Sequence, residues 1–228
     1  MTGGSSGTGT TRVAVLGGDT GAGAALVEGL VDAGCAVAAL RAGLSSAEEV
    51  AAALADARAD RGGLDAVVDA RVPTGATTPL PLSDMNAAQW AQHAEEPMRN
   101  TLHALQGAHR VLMSGGGAVV LVIPTLSMTG AAGLVPWTTA AEGSRTLAKV
   151  AARTWGDSGV RVNCLALPAD VLAGSPTPLD RPGLPAPSLV PPELRRDAGP
   201  VLAALTSDAF RTVTGLTVAV DGGVWMTP

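Results

Sequence analysis

Six short runs of Val, Ala and Leu punctuate the chain, near residues 12–17, 35–40, 65–69, 117–123, 160–166 and 216–220. None alternates apolar with polar positions, as expected of strands covered on both faces. Between them lie longer stretches with apolar residues at helical spacing, predicting helices near 21–33, 46–60, 86–113, 136–156 and 191–205. Strand and helix alternate, which argues for an α/β fold: a doubly wound parallel sheet with helices on both faces. Ser114-Gly115-Gly116-Gly117 ends the longest helix through residues that tolerate left-handed angles. Pro136 suits the first turn of the helix that follows. The stretch from Leu167 to Pro192 is crowded with Pro and Gly and predicts an irregular, lid-like loop. Residues 1–11 are expected to form a flexible tail and residues 12–228 a single domain.

Composition narrows the partners. The chain is 46% apolar but only 2% aromatic, so its core is expected to be built from Ala, Val and Leu. A net charge of −5 without a basic cluster offers no footprint for nucleic acid or an anionic membrane. The longest apolar run, Gly117 to Ile123, is far short of a membrane span. The opening ten residues lack the apolar stretch of a signal peptide, and the expected location is the cytoplasm. Cys35 and Cys164 each fall at or within an expected buried strand and read as free core thiols. His93, His103 and His109 share one long helical segment at spacings that do not stack them on one face, which argues against a metal site.

The chemistry begins at Arg12-Val13-Ala14-Val15-Leu16-Gly17-Gly18-Asp19-Thr20-Gly21-Ala22-Gly23, a strand running into a glycine-rich turn. Gly17, Gly21 and Gly23 give the spacing G-x-x-x-G-x-G, which lets backbone N–H groups and a helix N-terminus approach a pyrophosphate. Near the other end, Val213-Thr214-Gly215-Leu216-Thr217-Val218-Ala219-Val220-Asp221-Gly222-Gly223 is a strand between two turns. Together these segments resemble the short-chain dehydrogenase/reductase superfamily over residues 12–223, implying a Rossmann-like sheet. Residues 42–64 hold one helix and little else, so the family's edge strand is expected to be missing and the adenine end of any cofactor site to be more open. The second strand ends in Leu40-Arg41 where NAD-selective members carry an acid. If a cofactor binds, Arg41 favours NADP(H), because a guanidinium pairs with a 2′-phosphate.

The resemblance then breaks at the catalytic positions. The family's Asn-Asn-Ala-Gly stands here as Asp69-Ala70-Arg71-Val72, with Asp69 and Arg71 able to pair across a narrowed site. Its Tyr-x-x-x-Lys aligns with Trp137 and Ala141, in a chain without any tyrosine whose one lysine is Lys149. An indole N–H donates but does not titrate near neutral pH, so Trp137 cannot serve as the general acid. The family serine falls on Pro124, with Thr125 one residue off. The family asparagine falls on Pro97, with Asn100 three residues on, and a proline there interrupts the helix.

Two functions follow as expectations. One is a non-catalytic subunit of a heteromeric NADP(H)-dependent carbonyl reductase. In that reading helices 86–113 and 136–156 pack on an active, tyrosine-containing paralogue, as family members assemble through these helices. Leu147, Val150, Ala151 and Trp155 mark an apolar stripe on the second of them. The alternative is an atypical reductase, dehydratase or cyclase using other groups in the same pocket, with Asp69, Thr125, Ser127, Thr138, Glu142 and Asp170 as candidates.

Overall fold

The computed structural model describes residues 9–19, 21–175 and 186–226. Six parallel strands form one sheet in the order β2-β1-β3-β4-β5-β6. They are β1 Arg12–Leu16, β2 Ala36–Leu40, β3 Ala66–Asp69, β4 Gly117–Pro124, β5 Val160–Leu167 and β6 Thr217–Ala219. The reversal between β1 and β3 is the topological switch of a doubly wound sheet, where such folds place their ligands beyond the carboxyl ends of the strands. β2 forms one edge, and β3 follows α2 with no strand between, so the expected edge strand is missing.

Helices cover both faces. On one side lie α2 (Ala47–Asp60), α4 (Glu96–Leu112) and α5 (Val135–Thr154). On the other lie α1 (Gly21–Asp32), the short α6 (Ala169–Ala173) and α7 (Gly199–Thr206). Strand parity divides the core between them. Ala14, Leu16, Val67, Val119, Leu121 and Cys164 face the α2/α4/α5 layer. Val13, Val15, Ala66, Val68, Val120 and Leu165 face the α1/α7 layer. The α1/α7 side is held by two glycines. A Cβ on Gly29 would lie 2.8 Å from the Gly199 Cα, so the helices meet backbone to backbone.

The long helix expected over 86–113 is interrupted. α3 (Ala87–Trp90), capped by the Asn86 side chain, runs into a π-helical turn, Ala91–Glu95, before α4 begins. Pro97 has no N–H to give the His93 carbonyl, and the preceding turn widens so that Glu96 donates to the Ala91 carbonyl. Two other expectations need correcting. The loop after Leu167 contains the helix α6, and its residues 176–185 lie outside the described ones, as do residues 1–8 of the expected tail. Cys35 precedes β2 and is only half-buried, whereas Cys164 is buried. Along the stripe on α5, Ala151 is buried while Val150 is 57% exposed.

Candidate functional site

The glycine turn has the shape its sequence implies. Gly17 and Gly21 adopt φ of 75° and 50°, values that side chains resist. The Gly18 N–H donates to the Leu40 carbonyl, tying the turn to β2. A Cβ on Gly21 would meet nothing within 4 Å, so the backbone at the start of α1 is open to a ligand.

Beside this turn stands Arg71. Asp69 ends β3 and Arg71 follows two residues later on extended chain, so both side chains project to the α2/α4/α5 side. There they join. Arg71 Nε and Nη2 each donate to the Asp69 carboxylate at 2.7 Å, a bidentate pair. The remaining donors reach two distant backbone carbonyls: Nη1 to Leu44 at 2.9 Å and Nη2 to Asn100 at 2.9 Å. The two side chains are 11% and 8% exposed. Burial works to lower the Arg71 pKa, but the charge and hydrogen bonds of Asp69 outweigh it and the net shift is upward.

A cavity of about 570 Å³ opens next to this pair, between the π-helical turn, α5 and the carboxyl ends of β3 and β4. Its walls bring together seven positions that the sequence singled out: Asp69, Arg71, Pro97, Asn100, Pro124, Trp137 and Ala141. Ala141 contributes only a methyl group, which leaves room where the family pattern has a lysine. Trp137 is 4% exposed and packs with the apolar cluster that holds Leu126 and Leu134, so it stands as a buried wall residue of the cavity.

Other candidates fall elsewhere. Thr125, Ser127, Thr138, Glu142 and Asp170 do not line the cavity. The Thr138 hydroxyl turns back to the Leu134 carbonyl at 3.0 Å, and Glu142 pairs with Arg145 through a 2.8 Å hydrogen bond from Nε. The Thr125 and Ser127 hydroxyls are buried and find no hydrogen-bond partner among the described residues. Arg41 is exposed and lies outside the lining, as do Gly17, Gly21 and Gly23. Among the described residues no group of three His, Cys, Asp or Glu side chains could hold a metal ion. Sequence reasoning missed the polar wall formed by Ser144, whose Oγ lies 2.8 Å from the Ala140 carbonyl and 3.0 Å from Thr101 Oγ1. It also weighed Asn100 for its side chain, while the structure uses its backbone carbonyl.

A family model described as enoyl-(acyl carrier protein) reductase matches residues 11–225. The chain belongs to the short-chain dehydrogenase/reductase superfamily. A cis-4-hydroxycyclohexanecarboxylate dehydrogenase of Sinomonas cyclohexanicum is 32% identical, with 92% of this chain and 86% of that protein covered. A 3-oxoacyl-(acyl-carrier-protein) reductase of Staphylococcus aureus is 25% identical over 89% of this chain and 82% of its own length. The fold is also that of a short-chain type dehydrogenase/reductase from Mycobacterium ulcerans, with TM-score 0.76, 22% identity and coverage of 93% and 89%. A gluconate 5-dehydrogenase from Burkholderia cenocepacia, solved with NADP and tartrate, gives TM-score 0.75 at 20% identity, with 94% of each chain covered. Among the described residues no helix is long and apolar enough to cross a membrane.

Superfamily membership raises the question of a dinucleotide, and the residues answer differently along its length. At the glycine turn the backbone fits a pyrophosphate. The strip between that turn and the segment after β2, where such sheets hold the adenosine ribose, is crossed by Arg71. A Cβ on Gly17 would lie 2.9 Å from Arg71 Cγ. Arg71 thus bridges from the glycine turn to Leu44, whatever space the loss of the family's edge strand leaves beyond it. The residues as they stand do not fit the whole cofactor.

Proposed function

We propose that this chain is a catalytically silent short-chain reductase subunit that assembles with an active, tyrosine-containing paralogue to form a heteromeric NADP(H)-dependent carbonyl reductase. The observation that carries the reading is Trp137. Aligned with the family's Tyr-x-x-x-Lys it falls on the general acid's position in a chain with no tyrosine, and it is buried. Ala141, four residues on, supplies neither the ammonium that activates the tyrosine nor a hydrogen-bond donor. A general acid–base group contributes ~10²–10⁴-fold to rate, so losing the acid and its activator together leaves no useful hydride-transfer catalysis by the family route. In the complex, the cofactor and the proton donor belong to the paralogue. The segments 86–113 and 136–156 of this chain supply the helices against which the paralogue packs.

The test is affinity capture of the tagged chain from its native host, followed by native mass spectrometry and sequencing of what elutes. The expected result is a stoichiometric complex with a reductase carrying an intact Tyr-x-x-x-Lys, oxidising NADPH against a carbonyl panel that includes 4-oxocyclohexanecarboxylate. That compound enters the panel because a 32% identical relative is named for oxidation of the corresponding hydroxy acid. A clean homo-oligomer would overturn the reading.

A second reading is favoured by one observation, the persistence of a cavity of about 570 Å³ with Asp69, Thr101 and Ser144 in its walls. In this reading the chain is an atypical reductase, dehydratase or cyclase that uses the pocket itself. The homo-oligomer outcome would direct the search there.

A further inference from the structure

We infer that Arg71 is a built-in occupant of the dinucleotide cleft, clamped by Asp69, and that it makes this chain exclude both NAD(H) and NADP(H). The inference goes beyond the subunit reading and stands whether or not a partner exists. In an atypical enzyme, the same clamp would mean that the chemistry does not draw its hydride from a dinucleotide.

Three features of the pair support it. The first is place: Arg71 Cγ lies against Gly17, and the guanidinium reaches the Leu44 carbonyl beyond β2. It thus spans the strip that an adenosine ribose occupies in this fold. The second is commitment, since the guanidinium is spent on the two Asp69 oxygens and on the carbonyls of Leu44 and Asn100. An arginine held in this way is not a loose side chain that a ligand brushes aside. The third is charge. With Asp69 neutralising it, Arg71 offers little net attraction to a phosphate, and swinging it out would uncover a buried carboxylate beside the incoming pyrophosphate. Breaking a buried, hydrogen-bonded ion pair is costly enough to weaken binding by ~10²–10³-fold.

The glycine turn is retained beneath this obstruction, with φ of 75° at Gly17 and 50° at Gly21. The cradle is therefore intact and the lock is local, which makes the inference reversible by design. Asp69→Asn with Arg71→Ala restores the uncharged side chains that the family pattern places at these two positions. It removes the clamp without leaving an unpaired buried charge.

The experiment titrates NADPH and NADH into the full chain, by calorimetry and by energy transfer from its four tryptophans to the reduced nicotinamide. Wild type is expected to show no saturable binding at millimolar cofactor, and the D69N/R71A chain is expected to gain affinity by ~10²-fold or more. Micromolar binding by wild type would overturn the inference. So would a D69N/R71A chain that keeps its circular dichroism and melting temperature yet gains nothing. Should that variant fail to fold, amide exchange of wild type decides. Residues 17–19, 21–23 and 42–45 should exchange at the same rate with and without millimolar NADPH, and protection there would sink the idea.

Discussion

Gly23 stands so close to Gly17 that a Cβ placed on it would lie 1.9 Å from the Gly17 carbonyl oxygen. The contact joins the first turn of α1 to the end of β1 and fixes the angle at which the helix leaves the sheet. Neither partner has a flexible end that can yield, because both are backbone. The Gly23→Ala chain should therefore lose about 1–3 kcal/mol of stability, the usual cost of overpacking, read as a lower urea midpoint at unchanged m-value. A change below about 0.5 kcal/mol would mean that the turn relaxes freely and is not the rigid cradle described above.

Arg161 caps the end of α7 from the neighbouring strand. Its Nη1 donates to the carbonyls of Leu205 and Phe210 at 3.0 and 3.1 Å, and its Nη2 to that of Ser207 at 3.0 Å. Burial lowers the pKa of this guanidinium, opposed by the charge of Asp208. Arg161→Met keeps most of the bulk but leaves those carbonyls without their donor, and about 2 kcal/mol of stability should go. Arg161→Lys should recover only part of it, since an ammonium cannot span the set as the planar fork does. Hydrogen exchange should locate the loss at α7, and uniform protection across the chain would count against the capping role.

Much of this fold is legible because its strands are covered on both faces. A run such as Val67-Val68 needs no alternation once helices lie above and below it. The pairing of Asp69 with Arg71 is readable from their two-residue spacing on extended chain. The anchoring of Arg71 is not, because Leu44 and Asn100 lie 27 and 29 residues away and contribute carbonyls that any residue would offer. The exposure of Val150 was hidden for a related reason. Helical spacing says which residues share a face but not what that face meets, and the core packs against Ala148, Ala151 and Ala152 instead. In the Pro-rich segment, Ala169–Ala173 forms a helix too short for periodicity to reveal.

The two thiols should respond to pH in different ways. Burial pushes the Cys164 pKa up from 9.0 to about 12, and it raises that of half-buried Cys35 as well. A folded pKa above the unfolded value means that the contribution is complete below about pH 9 and is lost as pH rises toward 12. Stability of the wild-type chain should therefore fall over that window more steeply than that of Cys164→Ala, compared by urea denaturation at each pH. At neutral pH a thiol reagent should modify Cys35 first and reach Cys164 only after unfolding. Equal rates for both in the native protein would contradict the burial of Cys164.

On the proposed reading of a catalytically silent chain, family-type catalysis should require removal of the clamp as well as a tyrosine and lysine at positions 137 and 141. Ala141 borders the cavity of about 570 Å³, so the longer side chain of Ala141→Lys has space to enter, and Trp137→Tyr returns a phenol to the family's position. If Arg71 keeps the dinucleotide out, this pair of substitutions alone should give no NADPH oxidation across a carbonyl panel. Adding Asp69→Asn and Arg71→Ala should produce a measurable rate. That rate should still fall ~10²-fold or more below an intact family member, because Pro124 offers no hydroxyl to orient the carbonyl and Pro97 replaces the family asparagine. Equal activity in the two-residue and four-residue variants would show that Arg71 is no barrier. Inactivity of the four-residue variant despite cofactor binding would place the remaining defect at the end of β4, where the Thr125 and Ser127 hydroxyls lie buried without a partner among the described residues.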